Sequence, residues 1–596
     1  MLLDTLPILS LQKLLAPAMD EPTWPGLHYQ RDRERLRNKS RGSALWDSLD
    51  SRSAPQPIEV WPRSVFRQFQ REGIREPYQK LHDERLSRVV HAAIALWLEH
   101  PLGNLDYVQD LLWAYCESTT WLIPAHEHYA SGLELGSSRV GCTLAEIGYL
   151  LQDHLEEEVN LRLGQEIDRR ILDAGTDWRI PNGWSTCQMN WNHVCNSNLL
   201  QTALYRIRDS WVLAHFIHPV IQRLDYALGG FAADGGCLEG PGYWAYGFGH
   251  YVEAAVVLHQ RTHGALDLLA EPRVEPICRY PVSVHFDRVN RVTVADSGDG
   301  RVPADIALMI NHLLPIPELL DLAGEATGLP LTPRSWRALA LVDEIPVAGE
   351  YLPADAYLPE TGLARAVATD DPSIQVAISV GHNGVPHNHN DVGSFLMFAQ
   401  GSTLLTDPGA PRYTRKTFGE ERYEIIHTRT LGHSLPILNG VEQSPGEEYH
   451  GSLQVENFQL TDGASHDPKE PKRMIASIGR AYPIPTLHSL TRTLTLFPDG
   501  MLRVEDRFHF EEPPESIEEG FVTFAPVVVE ANGRSVRIGE GNQSVLLRAE
   551  EEVPGVFTVR DLVASVESDR RNRLLRRISF TPESLEAEMT LTFILN

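Results

Sequence analysis

The hydrophobic periodicity of this 596-residue chain changes partway along, and no single bundle or sheet accommodates both patterns. Before about residue 350, apolar residues recur at spacings of three and four, as in 86–98, 144–159, 161–172, 199–213 and 252–258. That spacing gathers apolar side chains on one face of a helix. Thr143 followed by Glu146 reads as a capping box opening a helix. The connectors 180–184 and 239–243 are rich in Gly, Pro and Asn. Helix pairs on short polar connectors predict an (α/α) toroid. From Ser373 onward the segments 374–380, 487–496, 502–506, 521–529, 544–547 and 590–595 read as strands, with turn signals at 497–500 and 531–533. Successive strands without intervening helices predict an antiparallel sandwich. The expected class is α+β and multidomain: an arm or lead-in at 1–50, a toroid at 51–350 and an antiparallel β-domain at 351–596.

A chain of this length exceeds one ordinary core, which agrees with that division. Its formal charge of −27 argues against nucleic-acid and anionic-membrane partners. Net charge says little about one cleft, because screening limits exposed charges to about 8–10 Å. Arg412, Arg415, Lys416, Arg422 and Arg429 form a local basic run. No apolar stretch approaches bilayer length. The N-terminal segment has Asp4 and Pro7 and no early Lys or Arg, a poor secretory signal. The sequence therefore favours the cytoplasm, with a periplasmic or secreted location if a signal has been removed. Six scattered cysteines without CxxC pairs suggest buried thiols.

The chemistry concentrates at His387-Asn-His-Asn-Asp391. In an extended chain, alternation would put His387, His389 and Asp391 on one face. The apolar run 392–399, the Gln400-Gly401 turn and 402–406 predict a hairpin that returns Asp407 to the histidines. Two further clusters lie in the helical half. Asn190-Trp-Asn-His193 opens a helix, where it either caps locally or presents donors to an anionic group. The stretch 234–251 interleaves Tyr243, Trp244, Tyr246 and His250 with glycines. Flat aromatics on such a connector suit sugar stacking, and core packing is the competing reading.

Together these motifs resemble the heparinase II/III-like polysaccharide lyases and their uronyl-epimerase relatives. The resemblance rests on 387–395, Asp407-Pro-Gly409, Tyr413-Thr-Arg415, Arg422-Tyr423 and His433, with Asn192-His193 and 239–247 in the helical half. It implies β-elimination on a 4-linked uronate polymer, glycosaminoglycans first. Asn192 and His193 would neutralise the substrate carboxylate. Tyr246 would act as base and acid, with Tyr243 the runner-up and His387 a second base or carboxylate support. Trp191, Glu239, Tyr243, Trp244, Arg412 and Arg415 would contact an anionic polysaccharide or oligosaccharide. His389, Asp407 and His433 would hold a supporting divalent metal, Zn2+ or Mn2+, with Asp391 behind them and His382 as the competing imidazole. The alternatives are an alginate or polyuronate lyase, a uronyl C5-epimerase, and a zinc-dependent hydrolase. A homo-oligomer is compatible with the sequence.

Overall fold

The computed structural model describes residues 6–19, 29–128, 132–176, 182–324, 332–342, 344, 346–460, 466–551 and 554–596. The chain forms two compact units. One comprises Met1–Gly230, Trp244–Glu275 and Val302–Gly349 and is helical. The other comprises Phe231–Tyr243, Pro276–Arg301 and Glu350–Asn596 and is built mainly of antiparallel sheets. Two segments that precede residue 350 thus belong with the β-unit. Within that unit, Phe286 of the second segment stacks on Phe398 with centroids 5.1 Å apart, and the Phe286 carbonyl accepts from Gln375 Nε2.

In the helical unit the residues of the lead-in form helices Ile8–Leu15, Tyr29–Ser40 and Ala44–Arg52. Leu11, Leu15, Leu36, Leu45 and Leu49 are buried, so these helices join the unit's core. Several helix limits differ from the sequence reading, and capping side chains explain why. Thr143 lies inside the helix Leu135–Leu150, whose start is set by Glu134. The Glu134 carboxylate accepts from the amides of Gly136 and Ser137, and Ser137 Oγ accepts from the Glu134 amide. The span expected at 144–159 breaks after Leu150 and resumes at Glu157–Ile167. Likewise 199–213 divides into Asn190–Arg206 and Ser210–Ala227, because Asp209 caps the second helix through the Val212 amide.

A buried ionic group ties these helices together. Arg337 from Pro333–Leu341 donates to both carboxylate oxygens of Glu146, at 2.5 and 2.6 Å, and to Glu253 at 2.6 Å. Tyr205 donates to the same Glu146 at 2.9 Å. A guanidinium fork satisfies two carboxylates from different helices at once, which a point-charge lysine does less well. Just before Gly249–Arg261, residues Trp244–Phe248 make a π-helical turn. The extra residue in such a turn re-aims its side chains, and Tyr246 lies within it.

The β-unit holds a five-stranded sheet in the order Ala356–Leu358, Leu363–Val367, Gln375–Ser379, Ser394–Ala399, Ser402–Leu405. An eight-stranded sheet runs from Val527–Val529 to Ser452–Glu456, and a four-stranded sheet contains Ile517–Thr523 and Leu575–Pro582. All named pairings are antiparallel. Phe395 and Met397 contribute to a core shared with Leu490, Val504, Phe521 and Phe593. The expected hairpin forms between Ser394–Ala399 and Ser402–Leu405. Gln400 and Gly401 both have positive φ, 50° and 80°, as a tight two-residue hairpin turn requires.

Arg492 is the buried cation of this unit. It forks onto Asp506 at 2.6 and 2.8 Å, reaches Glu519 at 2.9 Å, and donates to the carbonyls of Gly393 and Ser434. Removing one partner of a buried pair leaves the other charge uncompensated. Arg492→Ala is therefore expected to destabilise the β-unit by about 3–5 kcal/mol, read as a lower urea midpoint of its strand signal by circular dichroism. An unchanged midpoint would contradict this role.

Candidate active site and metal centre

Residues 387–391 do not form the strand that their alternation suggests: the strand starts at Ser394. His387 instead has a left-handed backbone, φ 60°, an uncommon conformation for a non-glycine residue. Arg422 fixes this turn by donating to the Asn388 carbonyl at 2.9 Å, and Tyr423 donates to Asn388 Oδ1 at 2.7 Å. The two histidines still meet a common partner, but it comes from a different segment.

That partner is Asp296, in the 276–301 segment of the same unit. Its Oδ2 lies 3.0 Å from His387 Nδ1 and accepts from Tyr413 Oη at 3.1 Å. Its Oδ1 lies 3.1 Å from His389 Nε2 and accepts from Arg422 at 3.0 Å. Burial alone would raise the Asp296 carboxyl. Hydrogen bonds from both histidines and the Arg422 charge outweigh burial and hold it well below the usual carboxylate range.

Around His387 the site continues with two tyrosines and a second carboxylate. Tyr243 stacks on the imidazole with centroids 4.4 Å apart, and its hydroxyl is 3.5 Å from Nδ1. The Tyr243 and Tyr413 hydroxyls are 2.6 Å apart. Glu239 Oε2 approaches His387 Nε2 at 3.5 Å. Burial pushes the Tyr243 phenol well up, and the neighbouring Tyr413, Asp296 and Glu239 add to that. The exposed ring of Phe418 meets His387 edge-on at 6.0 Å.

On the other side of Asp296 lies a cluster of potential metal ligands. His389, Asp391, Asp407 and His433 each offer an atom within 4.8 Å of the others. Asp407 arrives through the hairpin, as the sequence suggested. His433 arrives on a segment held by Arg577, which donates to the carbonyls of His433 and Leu435 at 3.1 and 2.9 Å. His433 Nε2 is 3.0 Å from the His427 carbonyl, which makes it the protonated nitrogen and leaves Nδ1 facing Asp407 Oδ2 at 2.9 Å. His389 uses Nε2 on Asp296, and its Nδ1 is buried without a hydrogen-bond partner in the structure. With both rings neutral, two imidazole lone pairs and two carboxylates within 4.8 Å of one another suit a divalent ion such as Zn2+ or Mn2+. The acceptor behind each ring is the outer support that metal-binding histidines commonly have. Burial pushes the Asp391 carboxyl up to about 7, with Asp407 adding to the rise and His433 opposing it. His382 stands apart on a short ladder with His450.

The predicted residues of the helical unit fall in separate places. Asn192 is fully buried and donates from Nδ2 to the carbonyls of Cys187 and Ser185, at 2.9 and 3.3 Å. Its Oδ1 accepts from Asn196. In this state it braces the loop, the local role that competes with carboxylate binding. His193 is buried, and its imidazole pKa is lowered by burial to about 3, so the ring is neutral. Trp191 meets His126 edge-on at 4.7 Å. Trp244 is only 2% exposed and packs near Phe248, which makes it core rather than the expected sugar platform. Tyr246 lines a cavity of about 330 Å³ with Asp83, Arg139, His250 and Arg334. Burial raises its phenol, while the Arg139 charge acts the other way. In the β-unit, Arg412 is tied to Asn572 Oδ1 at 3.0 Å, and Arg415 is exposed.

Sequence reasoning missed Asp296 altogether. The only signal is a turn-rich Ala295-Asp-Ser-Gly-Asp-Gly300 run, in which Ala295 has φ 51°. Tyr413 belongs to the Tyr413-Thr-Arg415 motif, to which the sequence assigns no role.

Comparison with known proteins matches the C-terminal part of the chain to one family. Residues 351–587 match the family model "Heparinase II/III-like, C-terminal". That region is accordingly similar to the C-terminal domain of the heparinase II/III-like proteins. Its fold is similar to a crystal structure of heparinase III, with 14% identity, TM-score 0.62, and coverage of 99% of this chain and 88% of that one. It is also similar to the heparan sulfate lyase HepC from Pedobacter heparinus, with 14% identity, TM-score 0.58, and coverage of 94% and 86%. Among curated protein sequences no match is found.

The ligand geometry predicts that His433→Ala lowers affinity for Zn2+ by at least about tenfold and lowers the melting temperature of the metal-loaded protein. Chelation of the loaded wild type should lower its melting temperature in the same way. Equilibrium dialysis and scanning calorimetry check both. Melting unaffected by zinc or chelator would contradict a supporting metal.

Proposed function

We propose that this protein is a polysaccharide lyase that cleaves 4-linked uronate-containing polymers, glycosaminoglycans first, by β-elimination. The observation that carries this reading is His387, set between Asp296 and Glu239 with Tyr243 stacked on its face. The heparinase II/III-like match and the similarity to the heparan sulfate lyase support it. In finer detail, the helical unit is proposed to be an incomplete (α/α) toroid and the sheets a sandwich.

The reaction removes the proton from C5 of the uronate and expels the oxygen at C4. The C5–H bond is weakly acidic beside an ionised carboxylate, so the carboxylate charge must be offset as negative charge develops. Asn192 and His193 are proposed for that task. An incoming carboxylate would displace the Ser185 carbonyl from Asn192, the longer of its two donor bonds at 3.3 Å. Tyr246 is proposed as base and then acid: burial raises its phenol in the free protein, and the Arg139 charge opposes that rise and would support the phenolate as it forms. Tyr243 is surrounded by carboxylates that favour its protonated form, which suits proton donation or hydrogen bonding. Its stacking on His387 supports a second reading in which Tyr243 and His387 form the acid–base pair.

Substrate contacts are proposed for Glu239, Tyr243, Trp191, Arg412 and Arg415, with Arg415 the more exposed of the two arginines. A divalent ion at His389, Asp391, Asp407 and His433 would supply fixed positive charge joining three segments of the β-unit. The protein residues carry out the proton transfers.

Incubation with heparan sulfate, hyaluronan, chondroitin sulfate and alginate should give ultraviolet absorbance from an unsaturated uronate with at least one of them. Reducing ends without absorbance would instead identify a hydrolase, and C5 proton exchange without scission an epimerase. Tyr246→Phe is expected to lower kcat about 10²–10⁴-fold, with a smaller loss for Tyr243→Phe. The reverse order would assign the base to Tyr243.

A further inference from the structure

We infer that Asp296 is a positioning residue that sets the proton placement on two imidazoles at once, linking the proposed catalytic His387 to the metal ligand His389. Asp296 Oδ2 faces His387 Nδ1 at 3.0 Å, and Oδ1 faces His389 Nε2 at 3.1 Å. An ionised carboxylate only accepts hydrogen bonds, so each of those ring nitrogens carries a hydrogen. On His389 this leaves Nδ1 as the lone pair facing Asp391, Asp407 and His433. On His387 it orients the ring so that Nε2 faces Glu239 and the ring plane lies against Tyr243.

The remaining contacts hold the carboxylate itself. Arg422 donates to Oδ1 and Tyr413 to Oδ2, each about one hydrogen-bond length away, at 3.0 and 3.1 Å. Arg422 also donates to the backbone between the two histidines, at Asn388. The side chain of Asp296 is fully buried, so water does not substitute for these partners. A backbone turn alone would not fix the proton positions on the rings. The carboxylate does so for both, and its two oxygens divide the task.

Asp296→Asn nearly preserves size but keeps only one accepting oxygen. Its amide N–H would face one ring nitrogen and require that nitrogen to be unprotonated, which reverses the proton placement on one histidine. Three measurements on the full chain test the inference. Zinc affinity by equilibrium dialysis should fall about 10–100-fold in Asp296→Asn, the loss usual for removal of an outer partner of a metal ligand. At saturating zinc, kcat should remain reduced by about 10–100-fold, with KM nearly unchanged. Histidine-selective 15N spectra of the wild type should show His387 carrying hydrogen on Nδ1 and His389 on Nε2, assigned with His387→Ala and His389→Ala.

The kcat measurement rests on the proposed lyase reaction, whereas the zinc and 15N measurements need no substrate. A wild type without elimination activity would sink the proposed function and leave these two measurements to decide the role of Asp296. Wild-type zinc affinity in folded Asp296→Asn would overturn the inference. The opposite tautomer on either histidine in the wild type would do so even if the variant fails to fold. Asp296→Glu retains both accepting oxygens and should bind zinc more tightly than Asp296→Asn; the reverse order would also overturn it.

Discussion

The β-unit's site depends on burying one negative charge. A carboxylate taken out of water costs several kcal/mol unless its lone pairs are used. Asp296 uses them on Arg422, Tyr413, His387 and His389. Those four partners lie 91 to 126 residues beyond Asp296 along the chain, so one electrostatic requirement organises the turn, the basic run and the histidine pair. The left-handed backbone at His387 is held in the same way, because Arg422 secures the following carbonyl. Strain of this kind persists only where surrounding contacts over-determine the conformation.

Buried arginines play the corresponding role elsewhere. In the helical unit Arg337 ties Glu146 to Glu253. In the β-unit Arg492 and Arg577 hold the carbonyls around His433. Each uses a planar fork to satisfy acceptors from several segments. The functional side chains therefore rest on charged supports as well as on the apolar core. Tyr246 differs in being placed by a π-helical turn, which offsets the packed helix beyond it.

Much of the architecture was legible because periodicity reports burial directly. The strand predicted at 487–496 is Leu487–Leu496, and Gln400-Gly401 turns the expected hairpin. Helix limits were less legible: Glu134 and Asp209 act as caps through side-chain geometry that spacing alone does not reveal. His389, Asp407 and His433 do come together, but the first arrives through a turn rather than by strand alternation. Trp244 looked like a cleft aromatic and is core, since sequence does not distinguish the two faces of a short aromatic stretch. Asp296 was invisible because it lies 91 residues before His387 and forms no spaced motif with it.

The central claim is that His387 and His389, two residues apart, have separate tasks defined by opposite sides of one carboxylate. Anomalous diffraction at the zinc edge from zinc-loaded crystals tests it most directly. The account predicts one peak among His389 Nδ1, His433 Nδ1 and the carboxylates of Asp391 and Asp407, at about 2.0–2.2 Å from its ligands. His387 should remain on Asp296 and Tyr243, outside bonding distance of the ion. Zinc bonded to His387, or no peak at this cluster, would contradict it.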